Sequence, residues 1–211
     1  MKPLLVAALG AAASLGAAGL LGAARLRTWG TRGDEATGKL AGQGLVPGAG
    51  AQLTHAVDIG APAAHVWPWV AQLGQDKGGF YSYAWLENLS GAGIVNAETI
   101  EPAWQHPQAG DLLRLHPAVG LEILRVDPGE LLVAGRAVHA GLGFQWTFLV
   151  RPRGESGSRL LVRERYVVPL APARLVAHLL TLGSALMSRR MLLGIRDRAE
   201  RARFCPAAPS S

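Results

Sequence analysis

A chain of 211 residues, 49% of them hydrophobic, has the length of one domain with an appended segment, and its single cysteine excludes an internal disulfide and a cysteine-built metal site. The net charge of +6 sits at the ends: residues 1–32 carry four Lys or Arg and no acid, 33–172 carry ten bases against thirteen acids, and 173–203 carry seven Arg against Asp197 and Glu200. The middle is therefore mildly acidic and lacks the basic stripe that nucleic-acid binding requires.

In chain order, the uncharged Leu-, Ala- and Gly-rich run from Pro3 to Ala24 comes first; at about 1.5 Å per residue such a run spans a bilayer core of roughly 30 Å. Arg25, Arg27 and Arg32 follow directly, so residues 1–27 read as a single-pass membrane anchor with the domain on the cytoplasmic side. The alternative is a signal-like segment and an exported domain. Residues 28–52 are Gly-rich, lack periodicity and read as a tether. Folded structure is expected over 53–204, followed by a disordered tail at 205–211.

Thr54 to Ile59 alternates as a strand. Ala61-Pro62 then opens a helix running to about Leu73, and a second short helix is expected from Tyr83 to Leu89. After Asp111 come five short apolar runs: 112–116, 121–126, 131–138, 144–151 and 159–168. The turn signals HPAVG, DPGE, AGLG and RGESGS separate them, which is the pattern of an antiparallel meander. Ala173 to Arg203 is free of Pro and carries a helical stripe through Val176, Leu180, Gly183, Met187, Met191 and Ile195. Only this long helix can cover one face of such a sheet, and a curved sheet gripping a helix leaves a cavity between them.

The motifs VWPWVAQLGQDKGGFYSYAWLENL, RLLVRERY and RRMLLGIRDRAE resemble those of the START-like helix-grip superfamily, in particular a bacterial branch of polyketide cyclase/dehydrase-like proteins called SRPBCC. An anchor followed by a tether also resembles that branch. The resemblance covers about Leu53 to Arg203. It implies an α+β helix-grip fold in which an antiparallel curved sheet of six to seven strands wraps a long C-terminal helix, with two short helices after the first strand. It further implies a hydrophobic small-molecule or lipid partner and no cofactor.

Alternation places Glu164 and Tyr166 on the helix-facing side of the last strand, and Arg163 and Arg165 on the opposite, solvated side. Glu164 is read either as a strand-end carboxylate paired with an arginine or as a polar anchor or general acid for a ligand. Phe144, Trp146 and Phe148 line one sheet face, as core or as pocket wall. After Gly78-Gly79, the residues Phe80, Tyr81, Tyr83 and Trp85 read as a plug of the core or as a lid over the cavity, with Glu87 and Asn88 behind them. Trp104 is expected near the mouth, and Leu180, Met187 and Met191 on the roof. The six histidines show no metal-ligand spacing.

Three functions remain open at this level. The first is a membrane-anchored binding or carrier protein for a lipid or polyketide-like molecule. The second is a cyclase- or dehydratase-type enzyme using Glu164, Tyr166 and Glu87 as acid–base groups. The third is an interaction module with a filled core, which a cavity smaller than about 300 Å³ would favour.

Overall fold

The computed structural model describes residues 22–48, 50–139, 142–168 and 171–202. Six strands run β1 (Gly50–Ile59), β2 (Leu112–His116), β3 (Val119–Asp127), β4 (Leu131–His139), β5 (Leu142–Arg153) and β6 (Gly157–Val167). From β1 onward the α-helices are α1 (Ala63–Ala71), α2 (Ala84–Glu87) and α3 (Ala171–Ala202). The sheet order is β1-β6-β5-β4-β3-β2 with every pair antiparallel. This is the α+β helix-grip arrangement expected from the sequence: a meander closed by β1 on β6, with one long helix across its inner face.

Strand alternation sorts the sheet into two faces, each with its own core. Leu132, Phe148, Leu160 and Val162 point inward and pack with Met191, Leu192, Ile195 and Ala199 of α3 and with Val66 and Val70 of α1. Pro68 falls inside α1, where its missing N–H and bulky ring oppose a long helix. The second expected helix is shorter than anticipated, four residues of α2 followed by a 3-10 turn at Asn88–Ser90.

The outer face departs from expectation. Residues 28–52, read as a tether, pack across this face up to the start of β1. Leu40 joins Ala56, Leu131, Val133, Leu149 and Leu161 in a second core, and Val46 is buried as well. The outward polar residues of the sheet hold this strap through its backbone. Arg163 donates to the carbonyls of Gly38 (2.7 Å) and Glu35 (2.7 Å), and to Gln43 Oε1 (2.9 Å) and Thr54 Oγ1 (2.9 Å). Gln145 donates to the Gly42 carbonyl and accepts from Val46 N–H. Arg159 joins Glu35 and Asp58 in ion pairs of 2.5 and 2.8 Å. Arg163, expected in solvent, is 1% exposed, and burial pulls its guanidinium down to about 10. Arg165 is half-buried and reaches the Gly48 carbonyl at 2.9 Å.

The expected single-pass membrane location is also corrected. No helix among the described residues is long and apolar enough to cross a membrane. Residues 1–21, where most of the expected span falls, lie outside the described residues. Its last part, residues 22–27, is helical and docked on the domain: the Leu26 carbonyl accepts from His55 Nε2 at 2.6 Å, and Arg27 Nε donates to Thr181 Oγ1 at 2.8 Å. The expected tail at 205–211 lies outside the described residues.

Candidate functional site

A cavity of about 190 Å³ opens between the inner sheet face and α3. Its walls are aromatic because β5 presents Phe144 and Trp146 two positions apart on its inner side and β6 adds Tyr166. Phe144 packs against Tyr166 (centroids 4.9 Å apart) and Trp146 (6.2 Å), and Phe80 closes on Trp146 at 5.8 Å. Met187 and Met191 form the α3 side, where flexible thioethers adapt to varied apolar shapes.

Glu164 stands in this apolar setting. It is 1% exposed, and three hydroxyls converge on its carboxyl: Tyr166 Oη (2.9 Å) and Ser184 Oγ (2.5 Å) on Oε2, and Ser188 Oγ on Oε1. Desolvation raises its carboxyl above the ordinary value near 4.5, and the three hydroxyl donors pull it partway back. Among the described residues no Lys, Arg or His lines the cavity, so the arginine pair considered for Glu164 from sequence does not form among them. Glu87 enters from α2; burial raises its carboxyl too, and its Oε2 is buried without a hydrogen-bond partner among the described residues. Trp146 Nε1 is likewise buried and unpartnered.

The remaining sequence candidates separate into wall, core and surface. Tyr81 turns away from the cavity into the core at φ 55°, its N–H and that of Phe80 both donating to Asn96 Oδ1. Arg198 lies over the Tyr81 ring at 4.9 Å. Phe148 is buried beside Trp146 without lining the cavity. Tyr83 precedes α2 and is partly exposed, while Trp85 is 68% exposed, so the indole is no plug. Asn88 exchanges hydrogen bonds with the backbone of Ile94 and orders the following loop. Trp104 is itself half-buried at the end of an otherwise exposed 3-10 turn, apart from the cavity lining. Leu180 falls in α3, and the side chains of 171–180 lie outside those described. Gly183 of the expected stripe is exposed.

Sequence reasoning missed Ser184, Ser188 and Ser82, all of which line the cavity. The signal was available in part: Ser184 and Ser188 are one turn apart on α3 and interleave with Met187 and Met191, a pair of small polar residues inside an apolar face.

The raised Glu164 carboxyl makes stability depend on pH. The folded state holds this proton more tightly than the unfolded chain, so the contribution is full below the ordinary value and is lost as pH rises through the folded one. Glu164→Gln removes that loss. Urea midpoints measured between about pH 4 and about pH 8 should show the variant gaining on the wild type as pH rises. Glu35 and Asp58, whose carboxyls lie below their ordinary values next to Arg159, give the opposite slope but cancel in the difference. A pH-independent difference would show the three hydroxyls fully compensating the charge.

No protein-family model and no curated protein matches the chain. Among solved structures it is similar to the norcoclaurine synthase of Thalictrum flavum in complex with dopamine and hydroxybenzaldehyde, at 15% identity and a TM-score of 0.44, over 82% of this chain and 97% of that one. It is similar to the Zhui aromatase/cyclase from Streptomyces sp. R1128 at 16% identity and a TM-score of 0.44, over 76% and 99%. It is also similar to protein MLL2253 from Mesorhizobium loti at 15% identity and a TM-score of 0.45, over 72% and 98%. The fold assignment rests on the strand order and the helix across the sheet rather than on these distant likenesses.

Proposed function

We propose that this chain binds a small hydrophobic molecule in the cavity between the sheet and α3, with the buried polar cluster at Glu164 as its anchor. The sequence resemblance to START-like helix-grip proteins supports this reading. The observation that carries it is a carboxyl placed inside an aromatic cavity with three hydroxyls around it and no cation beside it among the described residues. A core that is merely filled has no use for such a group, because burying it costs several kcal/mol that a Leu or Met would not.

The volume of about 190 Å³ is below the roughly 300 Å³ typical of drug-sized sites. On size alone it favours the filled-core reading, and the polar cluster favours binding. The two together point to a compact ligand, a single ring or a short chain, rather than a whole lipid. A second reading, an acid–base enzyme of the cyclase or dehydratase type, is favoured by one feature. Tyr166 hydrogen-bonds to a carboxyl raised by burial, which is how a group is kept protonated to act as an acid.

Native mass spectrometry of the chain as purified, and after incubation with monocyclic aromatic and short-chain compounds, tests the proposal. A bound species is expected in the wild type. Ser184→Phe, which fills the cavity beside Glu164, should weaken it by at least about tenfold. Binding unaffected by Ser184→Phe, or no binding across the panel, would overturn the assignment; chemical conversion of a bound compound would select the enzyme.

A further inference from the structure

We infer that the ligand is a hydrophobic amine, bound as its ammonium ion with the charge at Glu164 and Glu87; this rests on the ligand-binding reading above. Among the described residues the carboxyls that line the cavity are matched by no basic group. Two carboxyls reach the cavity, Glu164 from β6 and Glu87 from α2, and no Lys, Arg or His lines it among the described residues. The groups facing Glu164 are the Tyr166 hydroxyl from its own strand and the Ser184 and Ser188 hydroxyls from α3, with the Phe144 and Trp146 rings of β5 nearby.

Hydroxyls are neutral. They satisfy a carboxylate's hydrogen bonds without cancelling its charge. A carboxylate offers about four acceptor positions, so one stays open on Glu164 after its three bonds. Glu87 Oε2 is buried with none filled among the described residues. Ring faces carry negative potential, and the Phe80, Phe144, Trp146 and Tyr166 walls therefore add to the same preference for a cation within about 6 Å of a ring centre. With a neutral or anionic ligand the buried carboxyl stays on the protonated side that desolvation favours, whereas a bound cation lets it ionise and gains the charge-assisted contact. An ammonium group fills open acceptors on both carboxyls while its hydrocarbon part occupies the aromatic walls. Trp146 Nε1, buried without a partner among the described residues on a residue that lines the cavity, is a donor for one further acceptor atom on the same ligand.

Matched probes test this by calorimetry on the full chain near neutral pH: phenethylamine, which is cationic there, and phenethyl alcohol, its neutral counterpart. Wild type should bind the amine at least about tenfold more tightly than the alcohol. Glu164→Gln should bring that ratio close to unity, and Glu87→Gln should reduce it by a smaller factor. In the wild type the ratio should also shrink as acidification protonates both carboxyls, a readout that holds even if Glu164→Gln does not fold. Alcohol binding equal to or stronger than amine binding overturns the inference and leaves the ligand-binding reading standing. An amine preference that survives both substitutions overturns it as well. Absence of binding by both probes and by the wider apolar panel overturns the two readings together.

Discussion

Arg163→Ala should destabilise the domain by about 3 to 4 kcal/mol, a loss expected only where a buried network is broken. The side chain sits between the outer sheet face and the strap, 1% exposed. Its guanidinium satisfies two backbone carbonyls and the side-chain oxygens of Gln43 and Thr54. No carboxylate is among those four partners. The interaction is a charged donor fork spread over neutral acceptors, and truncation takes the donor from the part-buried carbonyls of Glu35 and Gly38. Arg163→Lys should recover little, because one ammonium cannot reach four acceptors held in the plane of a guanidinium. Arg165→Ala, half-buried and bonded to Gly48 and more weakly to Val46, should cost about 1 kcal/mol. Urea denaturation orders the three variants, and limited proteolysis should cut Arg163→Ala first within residues 30–48. A loss below about 1 kcal/mol for Arg163→Ala would mean that the strap contributes nothing to the fold.

This network also shows where sequence reading reaches its end. The meander was legible because alternation with period two and Gly- or Pro-bearing turns are local signals, and the β6 alternation correctly put Glu164 and Arg163 on opposite faces. What alternation cannot tell is whether the polar face meets water. Arg163, Gln145 and Arg159 bind the strap through its backbone carbonyls, and carbonyls have no letter in a sequence; a Gly-rich segment that offers them looks the same as a free tether. The buried Thr54, Gln145 and Thr147 on this face were the nearest thing to a cue.

The candidate site was half legible for a related reason. Rings on a strand inherit its two-sided geometry, so Phe144, Trp146 and Tyr166 could be assigned a wall. Rings on an irregular segment have no such constraint: Phe80 lines the cavity, Tyr81 enters the core and Trp85 stays in solvent. Ser184 and Ser188 carry no mark in an apolar helical stripe, because it is the buried carboxyl on the facing strand that draws small hydroxyls into that face.

Gly194→Ala should cost about 2 to 3 kcal/mol, although the same change in an open helical position stabilises by up to about 1 kcal/mol. A Cβ at Gly194 would lie 2.2 Å from the Tyr81 carbonyl oxygen and 2.8 Å from Tyr81 Cβ. Those atoms cannot swing aside. Tyr81 is fixed at φ 55° by Asn96, its ring lies edge-on to Trp69 at 5.7 Å, and Arg198 caps it at 4.9 Å. The methyl group must therefore lift α3 or displace the 78–82 segment. Either movement reaches the cavity, because Phe80 and Ser82 flank Tyr81 while Met191 and Ser188 lie one and two turns back along α3. Ligand affinity should fall together with stability, without any substitution in the cavity wall. Gly183→Ala is the control: it is on the same helix, is exposed, and has nothing within 4 Å of its added Cβ, so it should gain stability and leave affinity unchanged. Thermal melts and probe titrations of the two variants decide the matter, and a Gly194→Ala protein as stable as Gly183→Ala would show that α3 does not seat on Tyr81 in solution.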